Sequence, residues 1–391
     1  MPGTLTRGFR RTVNAMGGAA AAVGIRAELS PHAVVSAARK KTGLEALGPM
    51  AYPDGLPRLC NALNHEAALS PLGRLAARDR LRRAVSNRLR LVEAKRIHPA
   101  IFQAELRPFL LLCGMPASGA ALLHRMLCSG DDAWGPTAWE IAEPIADPLK
   151  DTRRKDFHGD HPEALSEDIS LLDASFWSPD FWRMGTVYSY QSWWLRQDPE
   201  PAYVMYRDFL LWLQAQHPGR TMVLRAPVHV GFLHTIHQMM PEARLVQLHR
   251  DPVAAIPAYC GHLNEHHNLL SDTQQPEALG APSLALWGHL IDQGLRARDA
   301  APRMAVMDIA WRALIRNPVS ETLAVARYGE LLVTDDTRTR YATHLHDLQH
   351  EPDLQAHALD DYSLNEWPIR SRFTTYLRRH REAHEPATLP H

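Results

Sequence analysis

Two patterns of apolar residues alternate along the chain. Short continuous apolar runs predict buried parallel strands, and apolar positions three and four residues apart predict amphipathic helices. The continuous runs cover residues 108–113, 221–226, 243–250 and 304–310. Helical spacing precedes, separates and follows these runs. The alternation therefore predicts an α/β fold with a central parallel sheet flanked by helices.

The chain before the first strand is predicted to be helical. Helical spacing covers residues 32–48, 56–70 and 73–98. We expect Gly48 to end the first of these helices and Pro99 to stop the third. The third stretch is rich in arginine, which we interpret as a solvated helix face. A basic binding surface is the alternative.

No repeat or low-complexity linker interrupts the chain, so residues 31–391 are predicted to form a single domain. Its helical N-terminal part is expected to span residues 31–104. Residues 1–30 form an N-terminal extension, and residues 1–27 contain four arginines and no acid. Its apolar stretch is too rich in alanine and glycine for a secretory signal, which favours a flexible or packed segment over a targeting peptide.

The charge balance bears on which partners the chain binds, and the cysteine content bears on the compartment in which it works. Lysine and arginine together number 43, as do aspartate and glutamate, so no net field favours nucleic acid or an anionic membrane. No apolar run approaches the ~20 residues of a membrane span. The four cysteines lie far apart and form no Cys-x-x-Cys motif, which is typical of a reducing compartment. We therefore expect a cytoplasmic protein that binds neither nucleic acid nor membrane.

The first strand leads into a glycine-bounded turn, Gly114 to Gly119, and then into a helix. This order forms an anion site, because the unpaired N–H groups and the positive dipole end of the helix point over the turn. The turn is not a Walker A loop, since no Gly-Lys-Ser/Thr follows it. Arg225 and Arg250 end the next two predicted strands. The carboxyl ends of parallel strands meet at one edge, so both arginines are expected to converge on the turn.

The sequence GMPASGAALLHRML (residues 114–127) resembles the loop "G-x-P-R-S-G-T-T-L-L-H-R-L-L" of bacterial sulfotransferases that use 3′-phosphoadenosine 5′-phosphosulfate (PAPS). Trp139-Glu140 resembles the "T-W-E" turn of this family. Residues 223–252 are similar to its "L-K-S-P-x-H" and "H-R-D-P" block, and residues 307–318 to its "D-x-x-Y-E-D-L-x-x-D-P". The resemblance implies the sulfotransferase fold, a P-loop-like α/β architecture.

The resemblance covers residues 35–380 in the same order. It implies transfer of a sulfuryl group from PAPS to a hydroxyl or amine of a small, partly apolar molecule. Catalytic roles are implied for Glu140, Arg225 and His229, with Glu140 as the base that takes the acceptor's proton. A mostly apolar pocket is expected to raise the pKa of Glu140, although a capping or ion-pairing role is the alternative. Donor-binding roles are implied for Gly114, Pro116, Ser118, Gly119 and Arg250.

Several positions depart from the family pattern. Alanine stands at Ala117, Ala120, Ala121 and Ala258, where the family has an arginine, two threonines and a serine. Arg225 keeps the charge of the family's lysine but not its shape. Each charge-assisted hydrogen bond to phosphate contributes roughly 1.5–3 kcal/mol, so these losses weaken donor binding unless other residues compensate. Three functions stay open: a PAPS-dependent sulfotransferase, a relative that has lost PAPS and uses Glu140 for other acid–base chemistry, and a non-catalytic binding protein.

Two further groups of side chains have alternative interpretations. The eight aromatic residues between positions 176 and 194 form either the core between two helices or one wall of an apolar acceptor pocket. His158 and His161 lie beside two aspartates, a pattern that metal ligands also show. Since the chemistry of the family needs no metal, we favour a capping or acceptor-loop role for these histidines and predict no metal.

Overall fold

The computed structural model describes residues 28–145, 163–271, 273, 275–344 and 357–381. Within these residues, short parallel strands alternate with helices, as the apolar pattern predicts. None of the helices in these ranges combines the length and the apolar character needed to cross a membrane. His158, His161 and residues 1–27 of the N-terminal extension lie outside the described residues.

The elements of the described chain follow the predicted order. The strands are β1 (Phe109–Gly114), β2 (Ala133–Trp134), β3 (Thr221–Arg225), β4 (Ala243–His249) and β5 (Val306–Ala310). The α-helices are α1 (Pro31–Thr42), α2 (Gly55–His65), α3 (Pro71–Ile97), α4 (Pro99–Gln103), α5 (Ala120–Cys128), α6 (Ala138–Ala142), α7 (Tyr188–Trp194), α8 (Glu200–Gln216), α9 (Leu233–Met239), α10 (Pro252–Leu270), α11 (Gly280–Ala300), α12 (Trp311–Arg316), α13 (Pro318–Tyr328), α14 (Asp335–Thr343), α15 (Glu366–Arg372) and α16 (Thr374–Arg379). Short 3₁₀ helices cover Asp168–Ser175, Pro179–Met184, Pro227–Phe232, Pro276–Ala278 and Asp360–Tyr362.

The strands pair in the order β2–β3–β1–β4–β5, and every pair is parallel. Leu112 of β1 pairs with Arg225 of β3 on one side and with Val246 of β4 on the other. All residues of β1 are buried, which explains its continuous apolar run. The predicted parallel sheet and βαβ unit are therefore confirmed, whereas the two-residue strand β2 is too short for the apolar pattern to indicate.

The apolar core of the sheet joins strands to the helices that follow them. Leu112 of β1 belongs to one buried cluster with Leu123 and Met126 of α5 and Val325 of α13. The apolar spacing of α5 puts these side chains on one face, and full burial of each stabilises the fold by about 1.5–3 kcal/mol. This packing fixes where α5 begins relative to β1, and hence the shape of the turn between them.

The described residues group into two compact units. The sheet unit, which contains all five strands, draws its described residues from 100–145, 163–171, 206–262, 276–344 and 357–381. The helical unit draws its described residues from 28–99, 172–205, 263–271, 273 and 275. The single domain expected over residues 31–391 stays a prediction.

The helical unit buries arginines of α3 that the sequence pattern placed on a solvated face. Arg88 is 3% exposed, and its Nε donates to the carbonyl of Leu47 at 2.7 Å. Arg80 donates to Asp173 at 2.9 Å and also bonds Asp180. The solvated interpretation is wrong for these two arginines, because their partners come from segments far away in sequence.

The first helix ends earlier than expected. α1 closes at Gly43, which has a φ of +71° and donates its N–H to the carbonyl of Arg39. A glycine in the left-handed conformation is a common helix stop. The prediction that Gly48 ends this helix is therefore wrong. Gly43 and Gly48 are both glycines that follow helical spacing, so the sequence does not distinguish them as helix stops.

The aromatic cluster between positions 176 and 194 forms core within the helical unit. Seven of its eight side chains are buried, and Tyr188 is 37% exposed. Trp177 stacks on Trp194 with ring centroids 4.6 Å apart, and Tyr190 donates its hydroxyl to the carbonyl of Phe176 at 2.8 Å. The core interpretation therefore accounts for these residues.

Candidate active site

The turn between β1 and α5 has the backbone of an anion cradle. Gly114, Ala117 and Gly119 all have positive φ angles, of +133°, +52° and +82°. The left-handed conformation costs an alanine roughly 1–2 kcal/mol, so the surrounding packing holds Ala117 there. Gly119 caps the N-terminus of α5, and the N–H groups of the first helical turn point out of that end. The strand, turn and helix predicted from the sequence are present.

The side chains of the turn contribute little to this cradle. Ser118 is 2% exposed, and its hydroxyl donates to the carbonyl of Met115 at 2.7 Å. The hydroxyl proton thus closes the turn rather than serving a ligand. Ala117, Ala120 and Ala121 carry no polar side-chain atom. The turn therefore offers an anion its backbone N–H groups.

Arg250 packs against the turn from the end of β4. Its guanidinium donates to the carbonyl of Ala117 and lies over the ring of Trp311, 4.4 Å from the ring centroid. Arg250 is 6% exposed. It therefore fixes the conformation of the turn and places a permanent positive charge beside it. The predicted convergence of this arginine on the turn is confirmed.

A network of charged side chains lies behind Arg250. His249 Nε2 is 2.8 Å from Asp308 Oδ1, and the ring of His249 stacks on His380 at 3.9 Å. These three residues lie close enough to hold a metal ion, yet Arg298 donates to both oxygens of Asp308 at 2.6 and 2.8 Å. Burial raises the pKa of Asp308, but its bonds to Arg298 and His249 outweigh burial and hold the pKa far below the usual range. The paired arginine makes this group structural.

A cleft of about 650 Å³ opens beside α5 in the sheet unit. It begins at Ala121, in the first turn of that helix, and reaches Glu140 and Arg225. Its lining consists of Ala121, His124, Arg125, Cys128, Ser129, Trp134, Gly135, Thr137, Trp139, Glu140, Glu163, Ala164, Leu165, His217, Arg220, Arg225 and His344. Two of the three residues with an implied catalytic role thus lie in one cleft next to the turn.

Glu140 accepts hydrogen bonds on both carboxylate oxygens. It occupies the third position of α6, where Oε2 accepts from the N–H of Thr137 at 2.8 Å and from its hydroxyl at 2.7 Å. His217 Nε2 lies 2.9 Å from Oε1. Burial raises the pKa of Glu140, but the bonds from His217 and Thr137 outweigh burial and lower it below the usual value. The expected rise is therefore wrong, because α6 supplies donors that an apolar pocket would lack.

Two histidines of the cleft, His217 and His124, were not predicted as site residues from the sequence. His217 follows α8 directly, and its ring stacks on Trp134 with centroids 3.8 Å apart. His124 of α5 lies 2.9 Å from the carbonyl of Val223, and burial lowers its pKa to about 3. His124 therefore stays neutral. It belongs to the "L-L-H-R" part of the loop motif, which could have signalled it, whereas His217 precedes an ordinary Pro-Gly helix stop.

Arg225 lines the cleft and pairs with Glu167, with Nη1 and Oε1 3.1 Å apart. His229, by contrast, is fully buried. Its Nε2 lies 2.8 Å from Asp168 Oδ2, which also accepts the hydroxyl of Tyr206 at 2.5 Å. With no exposed surface, His229 does not line the cleft in this structure, and the catalytic role implied for it stays a prediction. It anchors Asp168, the residue after the ion-pair partner of Arg225.

These features match a known family. The family model described as the sulfotransferase family covers residues 108–335 of the chain. That range holds the turn, the five strands and most of the cleft lining. The chain belongs to the sulfotransferase family. It is a transferase.

Solved sulfotransferases share the fold. The crystal structure of sulfotransferase STF9 from Mycobacterium avium matches with a TM-score of 0.79 at 22% identity, over 90% of this chain and 96% of that chain. Sulfotransferase STF1 from Mycobacterium tuberculosis matches with a TM-score of 0.77 at 24% identity, over 89% of this chain and 99% of that chain. At these identities the likeness shows the fold alone. No curated protein matches the chain significantly.

The predicted site residues of this sulfotransferase fall into three places. Gly114, Pro116, Ser118 and Gly119 belong to the turn, Glu140 and Arg225 line the cleft, and Arg250 and His229 pack behind them. Ala258, at the position of the family's serine, is 8% exposed on α10. The strand, turn and helix of the family motif are thus present, while several side chains of the turn differ from the family pattern.

Proposed function

We propose that this sulfotransferase transfers a sulfuryl group from PAPS to a hydroxyl or amine of a small molecule. The observation that carries the proposal is the cleft that runs from Ala121, beside the turn, to Glu140 and Arg225. Transfer needs an anion site, a fixed cation and a group that handles the acceptor's proton close together. The turn supplies the anion site, Arg225 supplies the fixed cation, and the end of the cleft at Glu140 supplies the group that handles the proton.

The residues at the turn fit a phosphosulfate through their backbone. PAPS supplies the activated sulfuryl group when bound. We expect the N–H groups at the start of α5 to hold its phosphate oxygens, since such groups have no partner within a helix. Arg250, seated between Ala117 and Trp311, holds the turn in shape and contributes positive charge. Arg225 faces the developing negative charge from the cleft.

The test is calorimetric titration of the full chain with 3′-phosphoadenosine 5′-phosphate, the desulfated donor. We expect micromolar binding that weakens at least about tenfold in Arg250→Ala, because a charge-assisted contact and the support of the turn are lost together. Arg316→Ala is the matched control, since Arg316 is exposed at the end of α12. Absence of both heat and thermal stabilisation at millimolar nucleotide would overturn the proposal.

One observation favours a second candidate. Ala117, Ala120 and Ala121 leave the turn without the polar side chains that the family uses, as expected for a relative that works without PAPS. In that case the cleft would carry out acid–base chemistry on a small molecule through Glu140. A wild-type protein that ignores the nucleotide but binds small molecules in the cleft would favour this candidate. Loss of that binding in Glu140→Gln would show that the small molecule binds at Glu140.

A further inference from the structure

The proton-accepting group of the cleft can be identified from the contacts of Glu140. We propose that His217 is a catalytic residue that takes the acceptor's proton on Nδ1, and that Glu140 is a positioning residue for its imidazole. This inference rests on the proposed function and deepens it. The resemblance implies Glu140 itself as the base, so the two assignments make different predictions for the same cleft.

Glu140 is poorly suited to remove a proton. Its Oε2 already accepts two hydrogen bonds from Thr137 and its Oε1 lies 2.9 Å from His217 Nε2. Three of the roughly four lone-pair sites of the carboxylate are therefore already occupied, and only one on Oε1 is left for an acceptor hydroxyl. The Glu140 side chain is 11% exposed. Each donor also stabilises the ionised form, which makes the carboxylate a weaker base.

The same contacts fix the tautomer of His217. An ionised carboxylate can only accept hydrogen bonds, so His217 must carry its proton on Nε2 to bond Glu140. In the neutral imidazole, Nδ1 is then a lone-pair acceptor. No hydrogen bond to Nδ1 is present among the described residues. This is the logic of a carboxylate–histidine pair, in which the carboxylate holds the ring and the far nitrogen handles the proton.

The ring of His217 is held in place and yet open to the cleft. It stacks on Trp134 with an interplanar angle of 18°, and its side chain is 25% exposed. Its carbonyl accepts a bond from Arg107 at 3.0 Å, which secures the chain just after α8. The ring can therefore meet a bound acceptor without a rearrangement of the backbone.

The transfer step balances with His217 as base. The acceptor oxygen forms a bond to sulfur while the bond from sulfur to the phosphate oxygen breaks, and that electron pair stays on the phosphate. The acceptor's proton moves to Nδ1 of His217. The products are a sulfate ester, 3′-phosphoadenosine 5′-phosphate and an imidazolium that Glu140 stabilises until its proton passes to solvent. Arg225 lines the same cleft and stabilises the developing negative charge.

Other titratable or permanently charged groups line the same cleft. They are Glu140 on α6, His124 and Arg125 on α5, Glu163 before the 3₁₀ helix, Arg220 and Arg225 around β3, and His344 after α14. Each is either a permanent cation, an acid or another histidine. The experiment must therefore observe His217 itself rather than the pH dependence of activity alone.

The first measurement is long-range ¹H–¹⁵N NMR of the full chain labelled with ¹⁵N-histidine, with His217→Gln identifying the signal. We expect the Nε2–H tautomer at neutral pH, with Nδ1 gaining a proton on acidification. In Glu140→Gln the preference for this tautomer is expected to fall. A predominant Nδ1–H tautomer, or a ring protonated across the neutral range, would overturn the inference. This measurement needs no acceptor.

The second measurement is turnover of PAPS on phenols, alcohols and amines that the wild-type chain sulfates. Glutamine at position 217 can still donate to Glu140 but has no basic atom, so His217→Gln should lose about 10²–10⁴-fold in kcat and the acidic limb of the pH profile. Binding of 3′-phosphoadenosine 5′-phosphate should stay unchanged. His237→Gln, at an exposed position of α9, is the control. Unchanged kcat in His217→Gln would refute the inference, whereas failure of the wild type to bind nucleotide would refute the proposed function instead.

Discussion

The turn between β1 and α5 and the neighbouring cleft differ in which part of the chain carries their chemical groups. In the turn, the backbone carries the recognisable feature, with Ala117 and Gly119 in left-handed conformations and few polar side chains around them. In the cleft, side chains carry it, through Glu140, His217 and Arg225. An anion site made of amides tolerates the loss of its side chains, whereas a proton-transfer site does not.

The largest expected effect concerns the backbone of the turn. A Cβ at Gly114 would lie 2.1 Å from the carbonyl oxygen of Leu248, and its φ is +133°. Gly114→Ala should therefore lower the free energy of unfolding by about 4 kcal/mol or more, because β1 and β4 must move apart. Gly219→Ala is the control, since Gly219 has a φ of +76° but no atom within 4 Å. It should cost about 1 kcal/mol. Equal losses in urea denaturation would show that the turn is not sterically fixed.

An intermediate effect should follow from returning side chains to the turn. Ala117→Arg with Ala121→Thr should tighten binding of 3′-phosphoadenosine 5′-phosphate about ten- to hundredfold in calorimetry. Ala117 already has a Cβ, so arginine adds no further backbone strain, and Ala121 faces the cleft. Ala300→Arg adds the same charge at an exposed position of α11. An equal gain in that control would mean that net charge, and not the turn, governs binding.

The smallest effect concerns the carboxylate of the cleft. The pKa of Glu140 is lowered in the folded chain, so its contribution to stability is present above the ordinary value of 4.5 and is lost as the pH falls through the lowered pKa. Glu140→Gln should cost less than about 1 kcal/mol at neutral pH, because glutamine can still accept from Thr137. In urea denaturation, the difference from wild type should shrink as the pH falls below 4.5 and through the lowered pKa. A difference that stays constant with pH would contradict the lowered pKa. The exposed Glu277→Gln is the control.

Sequence patterns predicted the sheet well because burial on both faces leaves a local signal. The runs around Leu112, Val223 and Val246 are apolar whichever helices cover them, and parallel pairing follows from the helices between them. Features that depend on distant partners left no such signal. The sequence pattern places Arg80 and Arg88 on a solvated face of α3. In the structure, Arg80 instead bonds Asp173 and Arg88 bonds the carbonyl of Leu47, and both partners are distant in sequence.

In the candidate site, too, features with a local sequence signal were predictable and contacts between distant residues were not. The turn and Arg250 were predictable, since both follow directly from strand ends. The partners of Glu140 and His229 were not, because His217 lies 77 positions from Glu140 and Asp168 lies 61 positions from His229. The raised pKa expected for Glu140 failed for this reason. An apolar environment can be inferred from nearby sequence, but a donor that arrives from a distant segment of the chain cannot.

The ion pair between Arg225 and Glu167 has a consequence for how ligands arrive. The charge of Arg225 is compensated at 3.1 Å, and the guanidinium of Arg250 is almost wholly covered. An approaching anion therefore meets little long-range attraction. Its encounter rate should change little with ionic strength. If the cleft binds PAPS as proposed, it should therefore discriminate among phosphorylated molecules through their dissociation rates rather than through their encounter rates.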